Sequence, residues 1–145
     1  MKIVFERVQD VLDNYKSSVY EQDAAKFAAA YAADIHVFDC WQNWSSDGIA
    51  DWSTMATEWF HGLKQEGVRL HVAFDDVATE ESDKLAFVRC AVTFKACDEA
   101  GEVVRQITNR FTFGLRKEHG SWLIAHEHSS LPIDMGTGKG IFNLK

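Results

Sequence analysis

Apolar residues recur at steps of three and four along the first twenty positions: Val4, Phe5, Val8, Val11, Leu12, Tyr15 and Val19. That period predicts an amphipathic helix. Asp23 then stands before an alanine-rich run, Ala24, Ala25, Phe27, Ala28 and Tyr31, and predicts a second helix capped by its carboxylate. Ile35, Val37 and Asp39 alternate with His36, Phe38 and Cys40, which reads as a short strand. Trp44-Ser45-Ser46-Asp47-Gly48 is a polar loop. A third helix follows, with Ile49, Trp52, Met55, Ala56, Trp59, Phe60 and Leu63 on one side and a stop near Gly67.

Beyond Gly67 the period changes to two. Val68, Leu70, Val72 and Phe74 open a strand running towards Thr79, and Glu80-Glu81-Ser82-Asp83 reads as a solvated turn. Leu85 to Ala96, Val103 to Leu115 and Trp122 to Ser130 are three further strands, joined by turns at Asp98-Glu99-Ala100-Gly101 and Glu118-His119-Gly120. Pro132, which cannot donate into a ladder, ends the last. Helices followed by long hairpin-connected strands predict an α+β fold: three helices, and a curved antiparallel sheet wrapped on the N-terminal helix into a cone. The mouth of such a cone is where a small ligand sits. Residues 1–135 form one domain in this reading, and the glycine-containing stretch 136–145 is a flexible tail.

Composition narrows the function classes. A chain of 145 residues with 46% hydrophobic residues is a single globular domain with a real core. Its net charge of −7, with lysines and arginines scattered, argues against a nucleic-acid partner. No apolar run approaches membrane-spanning length. Cys40, Cys90 and Cys97 are odd in number and lack C-x-x-C spacing. They read as reduced, buried thiols in a cytoplasmic protein, with no structural metal.

The most specific run is Arg110-Phe111-Thr112, then Gly120-Ser121-Trp122, then His126-Glu127-His128-Ser129-Ser130-Leu131-Pro132. It resembles the C-terminal hairpin of SnoaL-like proteins of the nuclear transport factor 2 superfamily. Ala33-Asp34 before Ile35-His36-Val37-Phe38-Asp39 resembles the first strand of that superfamily. The H-x-H-x-S strand is similar also to the association domain of calmodulin-dependent kinases. The superfold hosts isomerases, cyclases, dehydratases and pure binding modules, so the resemblance implies the fold more sharply than the activity. Tyr15 and Asp39 match the helix tyrosine and strand aspartate that face each other in ketosteroid isomerases, and keep their separation. A third position, an aspartic acid donor in those enzymes, is Asn109 here, whose amide can donate to an oxyanion without any pKa change.

Asp39 has two readings: a base in the cone, on the inward face with Val37, or a cap of the loop after a strand ending at Phe38. Tyr15 packs in the core or offers its hydroxyl to a ligand. Alternation places His126 and His128 with Trp122, Ile124 and Ser130, and the bulk of that set predicts the concave side. There they would bind a ligand or act as acid or base. A metal would lack a third ligand beyond Asp39, so no metal or cofactor is expected. Arg110 points outward by strict alternation, and only a β-bulge would turn it in, towards an anionic ligand group. Trp41 and Trp59 supply an aromatic wall for a flat ligand. Phe87 and Ala91 leave the outer face of the sheet partly apolar, which predicts a homodimer. Two functions remain: proton transfer beside a carbonyl, with Asp39 as base and Tyr15 and Asn109 as donors, or a non-catalytic ligand-binding or oligomerisation module.

Overall fold

A computed structural model describes residues 3–142 and Leu144. The first helix, α1 (Val8–Glu21), begins where the Arg7 backbone N–H donates to Asp10 at 3.0 Å. It ends at Gln22, in the left-handed region, whose side-chain amide donates to the Val68 carbonyl at 2.8 Å and so ties the helix to the sheet. Asp23 caps α2 (Ala24–Ala28) by accepting from the Lys26 N–H, as its position predicted. Strand β1 (Tyr31–Phe38) follows, then a two-residue strand β2 (Ser46–Asp47) within the expected polar loop. The long helix α3 (Ile49–Glu66) stops at Gly67, whose φ of 77° suits a residue without a Cβ.

Four long strands complete the chain: β3 (Arg69–Glu81), β4 (Leu85–Cys97), β5 (Val103–Glu118) and β6 (Ser121–Ser130). They form one six-stranded sheet in the order β2-β1-β6-β5-β4-β3. The architecture is the predicted α+β cone, a curved and unclosed sheet with the helices on its inner face.

Three local expectations change. Tyr31 opens β1 instead of closing the second helix, because it pairs with Ile124 of β6 and is buried. The sheet is mixed, since β1 and β6 run parallel. The acidic residues Glu80 and Glu81 lie in β3, paired with Phe87 and Ala86, and the turn is confined to residues 82–84. An exposed edge strand tolerates such charges on its solvent side.

The core gathers on the inner face, around Phe27, Phe60, Phe113, Val88 and Trp122. Alternate residues of β4, namely Ala86, Val88, Cys90 and Val92, point into it. Leu85 and Phe87 lie on the other face, 62% and 45% exposed. The three cysteines are free thiols. Among the described residues no helix is long and apolar enough to cross a membrane. After Pro132 the tail turns on Asp134, whose side chain accepts from the Gly136 and Thr137 N–H groups, and a bridge between Ile133 and Gly140 closes it.

Candidate functional site

The sheet, α1 and α3 enclose a cavity of about 800 Å³. Its walls are mainly apolar, with Tyr15, Phe27, Trp52, Trp59, Phe94 and Phe111 among them. Strand register orders the polar groups by depth. Glu127 lies opposite Phe113 and Ser129 opposite Phe111 on the next strand, so both of these β6 side chains share the inner face. Asp39, just past the end of β1, reaches the same cavity beside Ser129.

Both sequence readings of Asp39 meet in this geometry. The strand does end at Phe38, and Asp39 Oδ1 accepts from the Cys40 N–H at 2.9 Å, as a loop cap would. It also accepts from Ser129 Oγ at 3.0 Å and lines the cavity. Burial raises its pKa, and the hydrogen bonds from Ser129 and the backbone restrain that rise. A smaller hollow of about 350 Å³ adjoins the mouth, lined by Asp39, Trp41, Asp51 and Glu58 among others.

The alternation that sends His126 and His128 inward leaves Glu127 outward, and the structure reverses both. The pairing of β5 with β6 slips between Gly114–His126 and Leu115–Ile124, leaving Ala125 as an extra residue. This β-bulge reverses the phase of the strand. Trp122 and Ile124 point inward before it, and Glu127 and Ser129 after it. Glu127 is buried, with one hydrogen bond: the Tyr31 hydroxyl donates to Oε1 at 2.5 Å. Its other oxygen, Oε2, has no partner among the described residues, in a side chain that lines the cavity. Burial lifts its pKa to about 8, and the Asp39 charge adds to the rise. These surroundings favour the protonated acid over the carboxylate. With Oε1 accepting from Tyr31, the proton belongs on Oε2.

The same bulge turns His126 and His128 away from the cavity, against expectation. They lie on the outer face, packed edge-on against Phe38, and His128 is exposed. His126 stacks on His36, whose other nitrogen meets Asp47 at 3.2 Å. Arg110, a candidate to hold an anionic ligand group, does not line the cavity: it points outward as strict alternation has it and donates to Ser130 Oγ. Among the described residues no cluster of three or more His, Cys, Asp or Glu could hold a metal ion.

Tyr15, Trp41, Trp59 and Asn109 all line the cavity. Tyr15 is buried against Phe74 and Phe113, and its hydroxyl has no hydrogen-bond partner among the described residues. Burial, then the charges of Glu127 and Asp39, push its pKa well above the usual phenol value, so it stays a donor. Asn109 gives one N–H to Cys40 Sγ at 3.5 Å, while its carbonyl oxygen is buried without a partner. Trp41 stacks on Phe142 of the tail, with ring centroids 5.7 Å apart. Trp59 packs on Phe60 and Phe94.

The Glu127 carboxyl titrates near 4.5 in an unfolded chain and at about 8 in the fold. Between those values the folded state holds a proton that the unfolded state has released, so stability falls as pH rises through that window. Glu127→Gln keeps the shape and cannot ionise. Relative to the native chain it should gain on the order of 3–5 kcal/mol on moving from pH 4.5 to pH 9, read by urea unfolding. Parallel pH profiles for the two proteins would contradict the buried acid.

The chain matches the SnoaL-like domain family over residues 8–134. No curated protein matches it significantly. Among solved structures it is similar to an NTF2-like protein of unknown function from Pseudomonas putida KT2440, with a TM-score of 0.82 and 23% identity over 95% of this chain and 93% of that one. It is similar also to a ketosteroid isomerase-like protein from Erwinia carotovora atroseptica, with a TM-score of 0.64 and 22% identity over 85% and 92% of the two chains. A Xanthomonas campestris protein described as a calcium/calmodulin-dependent protein kinase II association domain gives 0.71 and 20% identity over 85% and 84%. At these identities the structures share the fold alone. The cone, its element order and the family match agree, and the chain belongs to the SnoaL-like domain family.

Proposed function

We propose that the cavity catalyses proton transfer at a carbon beside the carbonyl of a small, partly apolar compound. Asp39 is the base. Its carboxylate takes the proton from the α-carbon, and the electron pair of that C–H bond moves into an enolate. Tyr15 and Glu127 donate hydrogen bonds to the carbonyl oxygen as it gains negative charge, and the second N–H of Asn109 is a further donor. The proton then returns from Asp39 to the same carbon or a neighbouring one. One observation carries this reading: the Tyr15 hydroxyl and the buried Glu127 carboxyl, whose surroundings favour its protonated form, line the same apolar cavity as Asp39. Paired carboxyls whose environments give them different proton occupancy are the mark of acid and base roles. A purely binding or oligomerisation module would leave that arrangement unexplained.

1-Tetralone is a fitting probe, being flat, apolar and equipped with exchangeable protons at C2. The native protein should speed deuterium incorporation at C2 in heavy water, followed by NMR. Asp39→Asn should lower that rate by roughly 10²–10⁴-fold, the usual worth of a positioned base. Exchange no faster than in buffer, or unaltered in the variant, would contradict the mechanism.

The outer face of the sheet supports a homodimer, because Leu85, Phe87 and the half-buried Phe38 leave apolar surface there. The free thiols support a cytoplasmic setting. Sedimentation velocity at micromolar concentration should show a dimer that Phe87→Glu converts to monomer. A native chain that sediments as monomer throughout would rule out the pairing.

A further inference from the structure

The mouth of the cavity carries two carboxyl groups, Asp51 and Glu58, that the proton-transfer chemistry does not use. Asp51 and Glu58 are seven residues apart on α3, and so lie on one face of that helix. With Asp39 they place three carboxyl groups around the 350 Å³ hollow. Among the described residues none of the three is in an ion pair, and no Lys, Arg or His lines the hollow. The lining of the main cavity holds one cation, Arg105, and both of its terminal nitrogens bind the Glu66 carboxylate. Two indoles, Trp41 and Trp52, line the hollow together with the acids. At the far end, buried Glu127 offers its unpartnered Oε2 to the cavity.

We propose that the ligand is an amino ketone, with its carbonyl towards Tyr15 and Glu127 and a protonated amine seated at the mouth beside Asp51, Glu58 and Trp41. This rests on the reading of the cavity as a carbonyl site. An ammonium there gains from nearby carboxylates and from an indole face. A carboxylate in the same place would meet three like charges and no free cation. The chain's net charge of −7 acts in the same direction during approach.

Three probes separate charge from shape: 1-tetralone, 6-aminomethyl-1-tetralone and 6-carboxy-1-tetralone, titrated calorimetrically at low salt and at 0.5 M NaCl. The ammonium probe should bind roughly threefold to tenfold more tightly than the parent, and the carboxylate probe more weakly by a similar factor. High salt should compress both differences, because the mouth is open to solvent. The double variant Asp51→Asn, Glu58→Gln should narrow the ratio of ammonium to parent, and both positions are exposed enough for it to fold. A carboxylate probe that binds as well as the ammonium one, or a ratio that survives the double variant, would overturn the inference. If 1-tetralone binds and exchanges while all three probes bind alike, the amine falls and the proton-transfer reading stands. If none binds, both fall.

Discussion

The Glu127 carboxyl lies out of water with a single hydrogen bond, from the Tyr31 hydroxyl at 2.5 Å, and the rest of the cavity is arranged around that constraint. A buried carboxylate without a cation is far less stable than a buried acid, so the group keeps its proton near neutral pH. β1 and β6 run parallel, with Tyr31 paired to Ile124 and Val37 to Glu127, and across that seam the Tyr31 hydroxyl reaches the Glu127 carboxyl. The bulge at Ala125 then decides that Glu127, and not its histidine neighbours, enters the cone. Without that extra residue the strand would present imidazoles to the cavity and a carboxylate to solvent.

The contrast with Asp39 follows from surroundings alone. Asp39 sits nearer the mouth, accepts hydrogen bonds from Ser129 and the backbone, and shares its position with a solvent-connected hollow. These contacts favour its charged form, whereas Glu127 has only the tyrosine hydroxyl. One cavity thus holds two carboxyl groups whose surroundings treat the charged form differently. Asn109 belongs to the same construction, since its amide contacts Cys40, whose backbone N–H holds Asp39.

Much of this was legible in the sequence where local pattern and tertiary structure agree. The apolar period of 3.6 located α1 and α3, the Asp23 cap marked α2, and the alternation through Val37 put Asp39 on the inward side. Tyr15 was legible because its place on the apolar stripe of α1 fixes its direction. What escaped depends on pairing between distant segments. Strict alternation cannot anticipate a one-residue slip, so the bulge inverted the expected places of His126, Glu127 and His128. Residues 126–130 are too polar to announce their own phase, because no apolar side chain there demands burial. The mouth was illegible for a related reason: Asp51 and Glu58 look like an ordinary solvated helix face until Asp39 arrives beside them from β1.

Whether the cavity holds an acid and a base together is read most directly by carboxyl ¹³C NMR, at the atoms concerned. Selective labelling of Glu and Asp carboxyls, with Glu127→Gln and Asp39→Asn for assignment, yields both titration curves in the native chain. Glu127 should titrate near 8, and Asp39 above an ordinary aspartate. Removing the Asp39 charge should also lower the Glu127 midpoint, because that charge contributes to its rise. Two carboxyls titrating together in the ordinary acidic range, each indifferent to the other, would contradict that pairing of acid and base.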